Sequence, residues 1–282
     1  GVRLLGIPTA LDRLVQQAVA QVIGQLWDHT FSEFSYGFRP GRSAAQALHR
    51  CRTYLEQGYR YVVDLDLAKF FDHVPQDRLM SRLATRVTDK RVLRLIRRFL
   101  RSGVMINGLV SPTEEGTPQG GPLSPVLSNI VLDELDRELE KRGLHFVRYA
   151  DDCVIYVRSE RAGNRVMESV SRFVTNRLKL QVNREKSAVG RPWDRKYLGL
   201  CFTNSRTAPK LRIRWKTIQR FRQRVRELTA RTRGRSLRQI IGELVEYIRG
   251  WWGYFGITDS FNRLRPLAHW VRRRLRALVW YQ

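Results

Sequence analysis

"RYADDCVIYV", Arg148 to Val157, sets two aspartates side by side in an otherwise apolar, strand-forming run. Extended with the two residues before it, "FVRYADDCVIYV" reads as two strands joined near the acids. An Asp-Asp pair at a hairpin turn, taken alone, reads first as a solvated turn. The rest of the chain makes that reading worth testing: 52 Lys and Arg oppose 26 Asp and Glu, a formal charge of +26, and here the negative charge is concentrated.

An excess of that size points to a polyanionic partner. A membrane is not expected, because no apolar run approaches the roughly 20 residues of a spanning helix. No secretory signal is expected, and the three scattered cysteines, Cys51, Cys153 and Cys201, include no CxxC pair. This pattern argues against a disulfide framework or a zinc ribbon and fits a reducing, cytoplasmic setting. Charge is uneven: residues 206–282 hold 20 basic and 4 acidic residues. The division expected from it is one domain over 1–205 and a more basic module over 206–282. The opening "GVRLLGIPT" reads as the middle of a domain, so a truncated N-terminus is expected.

Along the chain, Thr9 caps a predicted helix whose apolar stripe is Leu14, Ala18, Val22 and Leu26. Ser43 with Gln46 forms a capping-box pattern before a second helix. "RYVVDLDL" predicts a strand, followed by helices over roughly 76–87 and 90–102, the latter closed by Gly103. "VMINGLV" is a hairpin with Asn107-Gly108 at its turn. Ser124-Pro125 opens a helix with Leu127, Val131, Leu135 and Leu139 on one face. A helix through Val166, Val170 and Phe173 precedes short strands "LKLQV" and "KYLGLCF", and three helices over roughly 216–232, 236–252 and 260–280 complete the chain. The fold class expected is α+β, an antiparallel sheet backed by helices, with an all-α C-terminal module.

In "VVDLDL" the period of two puts Asp64 and Asp66 on one face and Val63, Leu65 and Leu67 on the other. If this strand neighbours the Asp151-Asp152 hairpin, three or four carboxylates meet, an arrangement unfavourable without a cation among them. Oxygen ligands with neither His nor Cys nearby favour Mg²⁺ over zinc. Two such ions about 3.5–4 Å apart are the device for in-line phosphoryl transfer, which points to a nucleotidyltransferase or nuclease.

"DLAKFF" at 66–71, "GTPQGGPLSP" at 116–125, "YADD" at 149–152 and "KYLGL" at 196–200, in that order, resemble the palm of a reverse transcriptase. "RLLGIPTALDRLVQQAV" and "SYGFRPGRS" narrow the resemblance to bacterial group II intron reverse transcriptase/maturases, over essentially the whole chain. The resemblance implies a fingers/palm domain followed by a helical thumb, the maturase domain X. It implies Asp66, Asp151 and Asp152 as catalytic metal ligands, with Leu67 counted among the metal-holding positions, for two Mg²⁺ ions with Mn²⁺ as a substitute. Asp64 falls outside the catalytic position. Phe71 matches the bulky residue that excludes a ribose 2′-OH, with core packing beside Phe70 as the alternative. Gln119 and Gly120 resemble the loop against template and incoming nucleotide, Arg3 a triphosphate-binding residue, and Lys186 in "VNREKS" a lysine that protonates departing pyrophosphate. The implied partners are group II intron RNA, an RNA template/DNA primer duplex and dNTPs.

The segment "KTIQRFRQRVRELTARTRGRS" carries Glu227 as its one acid. A charge run is usually a solvated face, but phosphate contact explains its nearly unbroken sign better. "YIRGWWGYFG" is read mainly as bundle core, with base stacking as the alternative. The family's N-terminal fingers segment and its C-terminal endonuclease and DNA-binding modules are not expected in this chain. Two other readings stand beside an RNA-directed DNA polymerase: an RNA-binding splicing cofactor, and a domesticated relative in phage defence or DNA repair.

Overall fold

The alternation in "YVVDL" produces what a two-residue period demands. Strand β1, Tyr61–Leu65, buries Val63 and Leu65 in the main core and leaves Asp64 half-buried on the opposite face. The computed structural model describes residues 6–102, 104–106, 109–111, 115–118, 120–205, 207–230, 234–259 and 261–280. They fall into two compact units, Gly1–Gly190 and Arg191–Gln282. By contacts, the segment from Arg191 belongs to the second unit, while the change in charge density comes near residue 205.

In the first unit, β4 (His145–Tyr149) and β5 (Asp152–Val157) form the hairpin read from the sequence, and β5 pairs antiparallel with β1. A short strand β6, Ala188–Gly190, completes a four-stranded sheet in the order β4-β5-β1-β6, all pairs antiparallel. Helices α5 (Ser124–Lys141) and α6 (Glu160–Phe173) pack into the same core as Val63, Leu65, Cys153, Ile155 and Val157. All four apolar positions expected on α5, from Leu127 to Leu139, are buried. Gly163 lets α6 approach β6, since a Cβ there would stand 2.5 Å from Val189 Cγ1.

Local signals set the helix starts. Thr9 accepts from the Asp12 N–H ahead of α1 (Ala10–Asp28), and Ser43 and Gln46 make both bonds of a capping box on α2 (Ala44–Glu56). Helices α3 (Gln76–Ala84) and α4 (Lys90–Arg101) follow as expected, and Asp89 caps the second. Strands β2 (Val104–Ile106) and β3 (Leu109–Ser111) pair with Ile106 opposite Leu109, the register of a two-residue loop. That loop, Asn107-Gly108, and the stop at Gly103 lie outside the described residues.

Several expectations are corrected. Ser124 is the first helical residue of α5 rather than its cap, and its hydroxyl donates to the Pro118 carbonyl. The strand expected at "LKLQV", residues 178–182, does not form: a π-helical turn over Val174–Leu178 runs into its first residue, and only one bridge, Leu67 with Val182, follows. On α1 the buried face is Gln16, Ala20, Ile23 and Trp27, whereas Leu14 and Val22 are 68% and 60% exposed. The i, i+4 count was satisfied equally by either stripe, and Trp27 with Ile23 is the one that packs on the core.

In the second unit, β7 (Leu200–Phe202) and β8 (Leu211–Ile213) form an antiparallel ribbon; "KYLGLCF" is strand only over its last three residues. Helices α7 (Trp215–Leu228), α8 (Leu237–Phe255) and α9 (Arg265–Val279) follow. Trp251 packs on Phe221 and Phe255 at ring distances of 4.6 and 4.9 Å, as core residues should. Trp252 and Tyr254 are exposed instead, so the aromatic run is divided between core and surface. Among the described residues no helix is long and apolar enough to cross a membrane.

The two faces of α1 give a direct test. Ile23→Ala should cost about 2–5 kcal/mol, the usual range for emptying a buried aliphatic site, and Val22→Ala within about 0.5 kcal/mol of nothing. Urea unfolding midpoints of the two variants check this.

Candidate functional site

Asp66 follows β1 directly. The β1–β5 register pairs Leu65 with Cys153, so the next step sets Asp66 opposite Asp152. The β4–β5 pairing closes with Tyr149 opposite Asp152, which leaves Ala150 and Asp151 as a two-residue tip. Asp66, Asp151 and Asp152 therefore share one end of two neighbouring strands. All three are at least partly solvent-accessible, while Val63, Leu65, Cys153 and Ile155 behind them are buried.

The main chain of Asp66 is tightly held. Its N–H donates to Ser187 Oγ at 3.0 Å, and its carbonyl accepts from the Asn183 N–H at 2.9 Å and from the Ser187 hydroxyl at 3.3 Å. Asn183 Oδ1 in turn accepts from the N–H groups of Glu185 and Lys186. This folded loop brings Lys186 Nζ to 4.0 Å from Asp66 Oδ1. Lys186 and Asp66, 120 residues apart in the sequence, are thus neighbours. Leu67 turns its side chain into the core, so only its carbonyl oxygen could meet a cation.

Beyond Lys69, which adopts φ +44°, a single 3₁₀ turn over Phe70–Asp72 separates the two phenylalanines. Phe70 is buried in the core; Phe71 is half-buried, its ring edge-on to that of Phe70 at 5.2 Å. The "GTPQGGPLSP" loop is fastened to this turn. Thr117 N–H donates to Phe71 O at 2.6 Å, Gly116 N–H to Val74 O at 2.9 Å, and the buried Gln76 amide donates to Gly116 O and Leu100 O. Gly116 has φ +88°, and a Cβ there would stand 2.6 Å from Phe71 O, so glycine is required twice over. Gly120, at φ +111°, lies where a Cβ would meet Gly6 O at 2.4 Å. Gln119 and Arg3 lie outside the described residues.

The donor set suits a hard cation: three carboxylates and a main-chain carbonyl, all oxygen. The backbone brings these acids to one place, yet among the described residues no three His, Cys, Asp or Glu side chains converge closely enough to hold one ion. The thiol of Cys153 adds no reactive group. Burial first, and then the charge of Asp136, pushes its pKa upward and keeps it protonated.

The sequence reading passed over a set of residues beneath the tip. Arg148 is wholly buried and donates to Asp136 through Nε at 2.7 Å and Nη2 at 2.6 Å. Its other contacts are Ser35 Oγ at 2.8 Å, Asn129 Oδ1 at 3.0 Å and the Ala150 carbonyl at 2.8 Å. Burial raises the pKa of the Asp136 carboxyl, and the guanidinium opposes that rise. The signal was present in the chain: an arginine inside an apolar strand run, and Asn129 and Asp136 seven apart on the apolar face of α5. "SYGFRPGRS" enters the same place. Ser35 bridges to Arg148 in parallel pairing, and Gly37 sits so close to the tip that a Cβ would be 2.1 Å from Ala150 N.

The family profile for reverse transcriptase (RNA-dependent DNA polymerase) matches residues 1–202. The chain belongs to the reverse transcriptase family. Residues 218–282 of this reverse transcriptase-family chain match the group II intron maturase-specific domain. It is 32% identical over 225 residues to Protein YkfC of Escherichia coli K12, covering 66% of this chain and 59% of YkfC. It is 30% identical over 251 residues to the group II intron-encoded protein LtrA of Lactococcus lactis subsp. cremoris, covering 66% of this chain and 42% of LtrA. The chain thus spans about three fifths or less of the length of these relatives. Among solved structures, telomerase from Candida albicans superposes over 94% of this chain and 51% of its own, with a TM-score of 0.55 at 14% identity, a likeness of fold.

The contact between loop and turn is testable in this reverse transcriptase fold. Gly116→Ala should destabilise the chain by about 1–3 kcal/mol, through the left-handed φ and the approach to Phe71 O. Gly58→Ala, at φ +89° with open space around its Cβ, isolates the conformational part, and thermal unfolding of both variants measures the difference.

Proposed function

We propose that this chain is the polymerase and thumb portion of a group II intron reverse transcriptase, an RNA-directed DNA polymerase that also assists splicing of its intron RNA. The observation carrying the reading is the register that sets Asp66 opposite Asp152, with Asp151 at the adjoining tip. The maturase-specific match over 218–282 and the likeness to LtrA, a group II intron-encoded protein, support the intron assignment. The domains are proposed as 1–205 and 206–282, and the setting as the bacterial cytoplasm.

Asp66, Asp151 and Asp152, with the Leu67 carbonyl, would hold two Mg²⁺ ions, for which Mn²⁺ can substitute. Bound there, the ions supply activation of the primer 3′-hydroxyl and stabilisation of the leaving oxygen in in-line displacement. The remaining roles belong to the chain. The clamp by Ser187 and Asn183 fixes the backbone from which the Asp66 carboxylate projects. Lys186 stands beside that carboxylate and is assigned to give a proton to departing pyrophosphate. Phe71, held by Thr117, is assigned to exclude a ribose 2′-OH and so select dNTPs. Gln119 and Gly120 are assigned to template and nucleotide, and Arg3 to the triphosphate.

For the second unit the proposed ligand is RNA, the template/primer duplex and the intron itself. Arg222, Arg226 and Arg274 each stand 5.8 Å from the ring of Trp270, a dense local positive charge that phosphates would offset. That observation also supports the second reading, an RNA-binding splicing cofactor.

Primer extension on an RNA template with Mg²⁺ tests the mechanism. Asp151→Ala with Asp152→Ala should reduce extension to the level without protein while RNA binding at fixed salt stays within about twofold, because carboxylates add nothing to phosphate affinity. Extension that survives the double substitution would overturn the polymerase assignment. Splicing stimulation that survives it would show the cofactor role to be separable.

A further inference from the structure

We infer that Arg148 is a positioning residue for the acidic hairpin tip, acting through the main chain of Ala150. The proposal rests on the reading of Asp151 and Asp152 as the metal-binding acids and identifies what sets their direction.

A guanidinium has five N–H donors in a fixed fork. Those of Arg148 meet five acceptors: both oxygens of Asp136, Ser35 Oγ, Asn129 Oδ1 and Ala150 O. Four of these anchor the side chain to α5 and to the segment before α2. The fifth reaches two residues forward along its own strand to the carbonyl of the tip. The main chain of Arg148 is anchored as well, its N–H donating to Phe34 O and its carbonyl accepting from the Tyr36 N–H, both at 2.9 Å. The fork is therefore a rigid strut between helix α5 and the turn.

The turn needs such support. Ala150 has φ +57°, a left-handed conformation that a residue with a Cβ adopts at a cost and keeps only where its surroundings over-determine it. Two contacts do so. Arg148 Nη1 holds the Ala150 carbonyl from below, and Gly37 closes on the Ala150 N–H side with no room for a Cβ. Asn129 joins them, since its Oδ1 accepts from Arg148 while its Nδ2 donates to Gly37 O at 2.9 Å. The torsions of Ala150 fix the direction in which the next residue, Asp151, leaves the strand end, and hence its relation to Asp152 and Asp66.

A buried ion pair serving stability alone has no need of the fork's fifth bond, and apolar residues of like volume often replace such pairs without loss. Lysine offers three donors from a single atom and cannot span Asp136, Asn129 and Ala150 together. Arg148→Lys therefore keeps the charge beside Asp136 and removes the strut.

The experiment uses the full chain as wild type, Arg148→Lys, Asn129→Ala and Asp151→Ala, each checked for folding by circular dichroism and its urea midpoint. Mn²⁺ binding by electron paramagnetic resonance and hydrogen–deuterium exchange of Tyr149–Cys153 without metal are read beside primer extension. In folded Arg148→Lys the tip amides should exchange faster and Mn²⁺ affinity should fall about tenfold or more, as for a lost partner behind a metal ligand. Turnover should fall about a hundredfold, with KM for dNTP held within about twofold. Asn129→Ala should shift the same readouts in the same direction, and it decides the matter if Arg148→Lys does not fold. Wild-type exchange and Mn²⁺ affinity in the folded variants, against lost Mn²⁺ binding in Asp151→Ala, would overturn the positioning role alone. Equal Mn²⁺ binding by wild type and Asp151→Ala would instead overturn the site reading on which it rests.

Discussion

The buried pair of Arg148 and Asp136 is the constraint around which the first unit is arranged. Removing two charges from water is costly, and the loss is recovered only when geometry is good and every remaining donor is matched. Here the carboxylate receives two short bonds and the other three donors all find oxygen. Satisfying them requires the segment around Ser35, the middle of α5 and the β4–β5 tip to meet in one place. Losing either partner would leave an uncompensated charge in the core, at a cost of about 3–5 kcal/mol. The network thus couples the placement of three chain segments, one of them 113 residues from Arg148.

A second set of contacts positions the opposite side of the acids. "DLAKFF" cannot continue as strand past Leu67, because Lys69 turns left-handed and Phe70 dives into the core. The loop from Gly116 caps that turn through two main-chain bonds, and Gln76 secures the loop to the Leu100 carbonyl near the end of α4. Glycine appears where backbone meets backbone: Gly37 at the hairpin tip, Gly116 at the phenylalanine turn. Both are positions where a Cβ would collide with main-chain atoms, which side-chain rearrangement cannot relieve. Motifs that look like binding loops in sequence are, in these bonds, joints of the scaffold.

Much of this was legible beforehand, for identifiable reasons. Strand β1, the β4–β5 hairpin and α5 follow from strong periodicity, and the Ser43–Gln46 capping box is local chemistry. The acidic set was legible because carboxylates in a chain of +26 need a cause. What failed depended on tertiary choice. The sequence of α1 carries two apolar stripes, and only packing selects Ile23 and Trp27 over Leu14 and Val22. "LKLQV" has strand composition, but the chain leaves α6 through a π-helical turn that lets Val174 and Leu178 reach the core. The partners of Arg148 were invisible to any local window, since Ser35 lies 113 residues away.

The charge of the chain and its acids are best understood as separate solutions to one problem. A polyanion approaching a protein of +26 is attracted over its whole surface, and attraction of that kind selects no particular bond for reaction. Chemistry at one phosphate demands a place where charge is inverted and its direction fixed. Aspartates on a flexible loop would invert the charge without fixing it. Here they stand at the ends of paired strands, one main chain clamped by Ser187 and Asn183 and the other braced by a buried guanidinium. The exposed arginines are left to face a polyanion; among the described residues, the one buried arginine is spent on geometry.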